Sequence, residues 1–309
     1  MQRLDGASPV PPRLAGGIVA LGNFDGFHLG HQAVVGAAVA RARAEGRPAL
    51  VATFDPHPVR WFRPDAAPFR LTTLDQRQEL FAAAGIDAMV VFAFDAALAA
   101  LGAEAFVEQR LLGCLGAAGV VTGQDFTFGH AKSGNVAAMA LLGERLGFAA
   151  EAVAPVSLDG APVSSTRIRA ALRAGDTATA ARLLTRPFTI RGTVQHGDKV
   201  GRTIGYPTAN LDMGRYLRPA YGIYAVRGRL LADGRVLDGA ANLGVRPTFT
   251  PPKELLEPYF FDFAGDLYEQ EIEVELVEYL RPEATFDGLD ALTRQMDADC
   301  ARARVVLGG

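Results

Sequence analysis

The chain has 309 residues, and domains usually run to about 100–200, so two domains are expected. A net charge of −3 gives no basic footprint for nucleic acid, and 49% hydrophobic residues are ample for buried cores. Only Cys114 and Cys300 are present, too few and too far apart for a disulfide framework or a zinc cluster, which suits a reducing cytoplasm. No apolar run is long enough to span a bilayer, because Asp87 and Asp95 interrupt the nearest candidate, residues 86–101, so no membrane partner is expected. The first residues, MQRLDGASPVPPRL, lack the apolar centre of a secretory signal, and Pro9, Pro11 and Pro12 suggest a loose leader.

In chain order, Gly17–Leu21 reads as a short buried strand. An alanine-rich helix follows and stops at Glu45-Gly46-Arg47-Pro48. Strands are expected at Ala49–Phe54, Ala88–Phe92 and Gly119–Thr122. Helices are expected at Gln76–Ala84, Ala103–Leu115 and Asn135–Leu146. This alternation argues for a parallel sheet covered by helices, which binds ligands at the carboxyl ends of its strands. From about Pro187 the texture changes. Phe188–Val194 alternates like a strand, Asp233-Gly234 marks a hairpin turn, and Glu271–Leu276 alternates strictly, as a strand with one wet face would. Leu289, Leu292, Met296 and Cys300 recur at helical spacing and predict one closing amphipathic helix. The join is expected at Thr185-Arg186-Pro187, giving domains 1–186 and 187–309.

Five segments carry chemistry. GNFDGFHLGH (22–31) places two of only five histidines, His28 and His31, where a strand hands over to a helix N-terminus. Unpaired N–H groups and the helix dipole favour an anion there, so the imidazoles either hold phosphate or merely pack. VSSTRIRAAL places Ser164, Ser165 and Thr166 before Arg167 and Arg169. The hydroxyls alone are commonly helix caps, whereas the forked donors of Arg167 add a clamp for oxyanions. GQDFTFGH carries Asp125 in what is otherwise an ordinary strand-to-helix loop. Together, these three segments resemble the nucleotidyltransferase superfamily with an H-x-G-H signature. In GRTIGYPTAN, Thr208 and Asn210 lie two apart and share a side if the stretch is extended. Their neutral hard oxygens suit Mg²⁺, while Gly201 and Gly205 allow backbone close to phosphate; a turn running into a strand is the plainer alternative. In LLEPYFFDF, Glu257 lies among aromatics and precedes Pro258, which predicts an edge strand or a strand start. It is either a general base with a raised pKa or a solvent-facing edge residue.

From Gly17 to Arg304 the chain resembles the bacterial bifunctional riboflavin kinase/FAD synthetase family. GNFDGFHLGH, FDPHP, GQDFTFG, SSTRIR, GYPTAN, ANLGVRPTF, LLEPYFFDF and YLRPEATFD occur in the family's order. The resemblance implies an α/β nucleotidyltransferase domain with a Rossmann-like parallel sheet. A small antiparallel β-barrel of flavokinase type with a closing helix would follow it. It further implies ATP-dependent phosphorylation of riboflavin to FMN, then adenylylation of FMN by ATP to FAD and pyrophosphate, with Mg²⁺. Thr208 and Asn210 would hold the metal and Glu257 would take the ribityl proton. His28, His31 and Arg167 would serve adenylyl transfer, with Gly22, Asn23, Phe24, Asp25, Gly26, Asp125, Ser164, Ser165, Thr166 and Arg169 in the same site. Gly201, Gly205 and Pro207 would line the kinase nucleotide. Departures from the family pattern are Phe27, Val200, Tyr206, Tyr259 and Glu269. Two other readings remain at this point: a flavin-responsive binding protein, and a catalytic N-terminal half carrying the barrel as an interaction module.

Overall fold

The computed structural model describes residues 1–196, 205–246 and 253–308. Val200 and Gly201 therefore lie outside the described residues. The chain packs as two units, Met1–Ala66 with Thr72–Ser164, and Ala67–Leu71 with Ser165–Gly309.

The first unit is an all-parallel six-stranded sheet. Its strands are β1 (Gln2–Asp5), β2 (Ile18–Leu21), β3 (Ala49–Asp55), β4 (Ala88–Ala93), β5 (Gly119–Gly123) and β6 (Ala149–Val153), in spatial order β1-β4-β3-β2-β5-β6. β2 and most of β3 are buried throughout, as continuous apolar runs must be in a sheet covered on both faces. From β2 the order proceeds to β3 and β4 on one side and to β5 on the other. The gap between β2 and β5 is therefore the switch point, where a crevice opens at the strand carboxyl ends. Helix α1 (Leu29–Ala44) follows β2 and buries Val34, Val35, Ala38, Val39 and Ala42. It ends before Gly46, whose φ of +65° suits glycine. Helix α2 (Leu74–Ala83) starts at a reciprocal Thr73/Gln76 capping box, and α3 (Val136–Leu146) is capped by Asn135 and ends at left-handed Gly147.

The N-terminus is not a loose leader. Gln2–Asp5 adds an edge strand parallel to β4, and Val10 and Leu14 enter the core. With four residues and little burial, β1 gives no pattern of its own. The 103–115 helix is α-helical over Ala103–Phe106 and continues with wider π turns through Val107–Cys114. β6 is mostly exposed and its sequence, AAEAV, carries little strand propensity, so only pairing with β5 reveals it.

In the second unit, α4 (Ser165–Arg173) and α5 (Thr177–Leu184) precede an antiparallel sheet. Its strands are β7 (Phe188–Thr193), β8 (Leu211–Asp212), β9 (Gly222–Leu230), β10 (Val236–Arg246), β11 (Lys253–Phe260) and β12 (Glu271–Arg281), in spatial order β7-β12-β9-β10-β11-β8. A bridge between Gln195 and Asn210 draws the two edges together, so the sheet is a nearly closed barrel. Helix α6 (Leu289–Leu307) covers one outer face, where Ala303 and Leu307 meet Ala225, Ala240, Phe261 and Leu280.

Two details of this unit depart from the sequence expectation. On β12, Glu273 is buried rather than wet, ion-paired to Arg191 at 2.7 Å and to Arg229. On α6 the buried positions are Asp299, Ala303 and Leu307, while Leu289 is 63% exposed. The helix turns Asp299 inward because Arg281 donates to its carboxylate from both Nε and Nη2.

Candidate functional site

The first site begins where β2 ends. Asn23 begins the loop, and its backbone carbonyl accepts from Arg77 Nη1 at 2.8 Å and Thr53 Oγ1 at 3.1 Å. Phe24 and Phe27 adopt φ of +51° and +45°, with Gly26 at +90° between them. The strain is held by packing. Both phenylalanines are buried and meet Phe81 edge-on. Asp25 is buried, and its Oδ1 accepts from the Thr72 backbone N–H at 3.0 Å, while the Gly26 N–H donates to Thr72 Oγ1 at 2.9 Å. Asp25 thus pins the loop to the segment before α2.

His28 is the N-cap of α1, and its Nδ1 accepts from the His31 N–H at 3.4 Å. A neutral ring used in this way carries its proton on Nε2, the donor that a phosphate oxygen needs. The His28 and His31 rings stack with centroids 3.6 Å apart, and Phe24 supports His31 edge-on at 5.3 Å. A side chain at Gly30 would crowd the His28 ring at 3.2 Å and stand 3.6 Å from the Val163 carbonyl. The residues leading to Ser164 therefore run beside the start of α1. Asp125 follows β5 across the switch point and is exposed. Ser165, Thr166 and Arg167 form the first turn of α4. Arg169 has a structural task there: its Nε donates to the Phe69 carbonyl at 2.8 Å, and its guanidinium lies over the Phe69 ring.

The second site lies on the outer face of the barrel. Register places Leu211 opposite Leu256 and Asp212 opposite Leu255. The Ala209 N–H donates to the Pro258 carbonyl at 2.9 Å, so the same register continues and sets Asn210 opposite Glu257. Across β11, Glu257 is opposite Asn242. Asn210, Glu257 and Asn242 thus form one row across three strands. Pro258 sits within β11 rather than at its start. Its missing N–H faces Ala209, beyond the short β8, so no bond to β10 is lost.

Asn210 is buried, Thr208 and Glu257 are half-buried, and Pro207 is exposed. Gly205 has φ +87°. Tyr206 is anchored from its hydroxyl to the Asp297 carboxylate on α6 and meets Tyr259 edge-on at 5.1 Å. That anion, with burial, pushes the Tyr206 phenol well above its usual range. A recess beside Thr208 is walled by Val194, Phe260, Phe263, Leu267 and Tyr268. On that wall His196 stacks on Tyr268 at 3.9 Å. Glu269 follows with φ +63°, the left-handed region in which glycine is at ease.

Among the described residues, no group of three or more His, Cys, Asp or Glu side chains converges as a metal cluster. The oxygens of Thr208 and Asn210 fit a different kind of site. They are hard neutral donors on one extended segment, suited to a small cation that keeps phosphate as its other ligand.

Sequence reasoning missed three features. Arg77, buried on α2, holds the Asn23 carbonyl. An arginine one helical turn from the buried Phe81, on the inner face of α2, was the available signal. Trp61 and Phe62, 40% and 66% exposed, form an aromatic ledge past β3, with Phe94 edge-on to Phe62. The FDPHP motif before them gives no local signal for this ledge. Asn242 was quoted only within ANLGVRPTF, and its place beside Glu257 depends on a strand pairing that sequence does not display.

The family model described as FAD synthetase matches residues 11–167, and that described as riboflavin kinase matches residues 184–307. A bifunctional riboflavin kinase/FMN adenylyltransferase of Pseudomonas fluorescens is 40% identical over 99% of this chain and 98% of its own length. The similarly named Escherichia coli K12 protein is 37% identical, with 95% of this chain and 93% of its own covered. A crystal structure described as a macrolide-efflux protein from Streptococcus pneumoniae matches with a TM-score of 0.86 at 30% identity, covering 97% of each chain. Among the described residues, no helix is long and apolar enough to cross a membrane.

Proposed function

The chain belongs to the bifunctional riboflavin kinase/FMN adenylyltransferase family, and from that premise we propose how its residues divide the two reactions. It phosphorylates riboflavin to FMN with ATP and joins FMN to AMP from a second ATP, releasing pyrophosphate. We assign the adenylylation to residues 1–186 and the kinase to 187–309.

In the kinase step, Glu257 accepts the proton of the ribityl 5′-hydroxyl. The oxygen bonds to the γ-phosphorus, the bond to the β–γ bridging oxygen breaks, and ADP leaves. Thr208 and Asn210 would hold Mg²⁺, which when bound offsets charge on the phosphates. Gly205 and Pro207 line the nucleotide. The row that sets Asn210 directly opposite Glu257 carries this reading, because it brings a hard-oxygen donor and a proton acceptor to one edge of the barrel.

In the adenylylation, an FMN phosphate oxygen bonds to the α-phosphorus of ATP and pyrophosphate departs. No protein nucleophile is required, so catalysis rests on alignment and charge. His28, donating from Nε2, and His31, stacked against it, both hold the ATP phosphates, while Arg167 clamps phosphate. Gly22, Asn23, Phe24, Asp25 and Gly26 shape the loop, and Asp125, Ser164, Ser165, Thr166 and Arg169 complete the site. The ledge of Trp61 and Phe62 offers the flavin ring a flat apolar platform. Both cysteines are unpaired, which supports a reducing compartment, the cytoplasm.

The test separates the two reactions in one protein. Removing a positioned base typically costs about 10²–10⁴ in rate, and removing an oxyanion donor about 10²–10³. Glu257→Gln should lose FMN formation while still converting supplied FMN to FAD. His31→Ala should do the reverse. Equal losses of both reactions in a folded variant, followed by chromatography of riboflavin, FMN and FAD, would overturn the assignment.

A further inference from the structure

Asn242 is a polar residue inside β10, a strand paired on both sides: Asn242 is opposite Ile223 on β9 and Glu257 on β11. Asparagine is disfavoured in such positions. Its Oδ1 is also buried, and among the described residues it accepts no hydrogen bond. Buried carbonyl oxygens are nearly always satisfied, so an orphan of this kind in a binding site suits a donor brought by a bound molecule. The position says which donor. In the row Asn210–Glu257–Asn242, Asn210 lies on the metal and phosphate side of the proton acceptor. Asn242 lies on the other side, one strand spacing of about 4.8 Å further along. A substrate whose terminal hydroxyl meets Glu257 with the phosphates at Asn210 brings Asn242 within reach when the rest of its chain continues along the same row.

We propose that Asn242 is a substrate-reading residue of the kinase site, whose Oδ1 accepts a hydrogen bond from a secondary hydroxyl of the ribityl chain near its reacting end. The inference rests on the assignment of Glu257 and Asn210 given above. Asn242 therefore distinguishes a polyol chain from a deoxygenated one. A chain that lacks the hydroxyl leaves Oδ1 buried and unpaired, which hydrogen-bonding sites penalise more heavily than the loss of the bond alone.

The test crosses enzyme variants with substrate variants. Initial rates are measured for the full chain with riboflavin and with its 2′-, 3′- and 4′-deoxy analogues, using wild type, Asn242→Ala and Asn242→Thr. Wild type should lose roughly 5–150-fold in kcat/KM on one analogue, the factor expected for stranding a buried acceptor. Asn242→Ala should lose a comparable factor on riboflavin and show no further loss on that analogue. Asn242→Thr keeps an acceptor on a side chain that suits a strand, and should recover part of the discrimination; it also serves if the alanine variant folds poorly. The melting transition of the barrel unit reports folding of each variant. Additive losses, with Asn242→Ala discriminating every analogue as strongly as wild type does, would overturn the proposal, as would a wild type indifferent to all three. If Glu257→Gln retains kinase activity, the underlying site assignment falls as well. If that variant is inactive and the losses are additive, only the role of Asn242 falls.

Discussion

Candidate residues differ in what holds them. Asp25 and Arg169 occur in motifs that promise ligand contacts, yet each has a partner that shapes the chain: Asp25 accepts from Thr72, and Arg169 donates to Phe69. Asn210 is positioned differently. Its backbone carbonyl accepts from the Gln195 N–H, which fixes the residue where the barrel edges meet. With only two neutral oxygens, the Thr208–Asn210 pair should bind Mg²⁺ weakly until nucleotide supplies its phosphates. Asn210→Ala should raise the Mg²⁺ concentration needed for half-maximal FMN formation and leave that for FAD formation unchanged, as a metal titration of each reaction would read. Asp176, the N-cap of α5, gives a prediction about pH. The Thr179 backbone N–H donates to its carboxylate and lowers its pKa from the ordinary 3.8. A lowered folded value means stability that is present above the unfolded pKa and lost as pH falls through the folded one. Asp176→Ala should cost about 1 kcal/mol at neutral pH. The gap to wild type should narrow below pH 3.8 in melting experiments. What was legible in the sequence at this scale was local setting. The two-apart spacing of Thr208 and Asn210 and the strand-to-helix setting of His28 both follow from local pattern. The partners of Asp25, Arg77 and Asn242 were hidden because they are 47, 54 and 15 positions away in the chain.

Among the elements, β12 shows where pattern reading stops. Strict alternation of Glu with Ile, Val and Leu is the signature of a half-wet strand, yet Glu273 is buried and ion-paired to Arg191 and Arg229. Arg186, at the expected domain join, faces the same charge. Burial lowers its guanidinium to about 10, against the pull of Glu273. Burial likewise raises the Glu275 carboxyl. The outer side of β12 is thus a charged layer under cover, and no single-strand pattern separates covered charge from wet charge. Removing one member of a buried pair leaves the others uncompensated, typically at about 3–5 kcal/mol. Glu273→Gln should therefore lower the unfolding free energy of the barrel, read from urea titration, by an amount of that order. Helix α6 erred in the opposite sense. Its apolar spacing predicted the element correctly, but Asp299 took an inward position because Arg281 reaches it from β12. The parallel sheet, the β-rich second half and its closing helix were readable from periodicity, whereas the barrel was implied by the family resemblance. β1 and β6 were not, since short or alanine-rich edge strands owe their existence to a neighbour.

Among the described residues, two apolar clusters lie within the parallel-sheet unit, and another, between the barrel and α6, lies within the second unit. Separate cores favour separate unfolding, so heat or urea should give more than one transition. In Glu273→Gln only the transition that accompanies loss of FMN formation should move, with FAD formation from supplied FMN persisting beyond it. Yet the units are not consecutive lengths of chain. Residues 67–71 belong to the barrel unit although they lie between β3 and α2 in sequence. There, the Arg70 N–H donates to the Arg215 carbonyl, the Leu217 N–H donates to the Arg70 carbonyl, and Arg169 grips Phe69. At the level of the gene, this arrangement has a cost for anyone who would divide it. A start codon placed at residue 165 or 187 would encode a kinase deprived of the five residues that brace it, and a stop codon there would leave those residues on a fragment with nothing to brace. Splitting the two activities into independent open reading frames would require a transplanted segment as well as a cut.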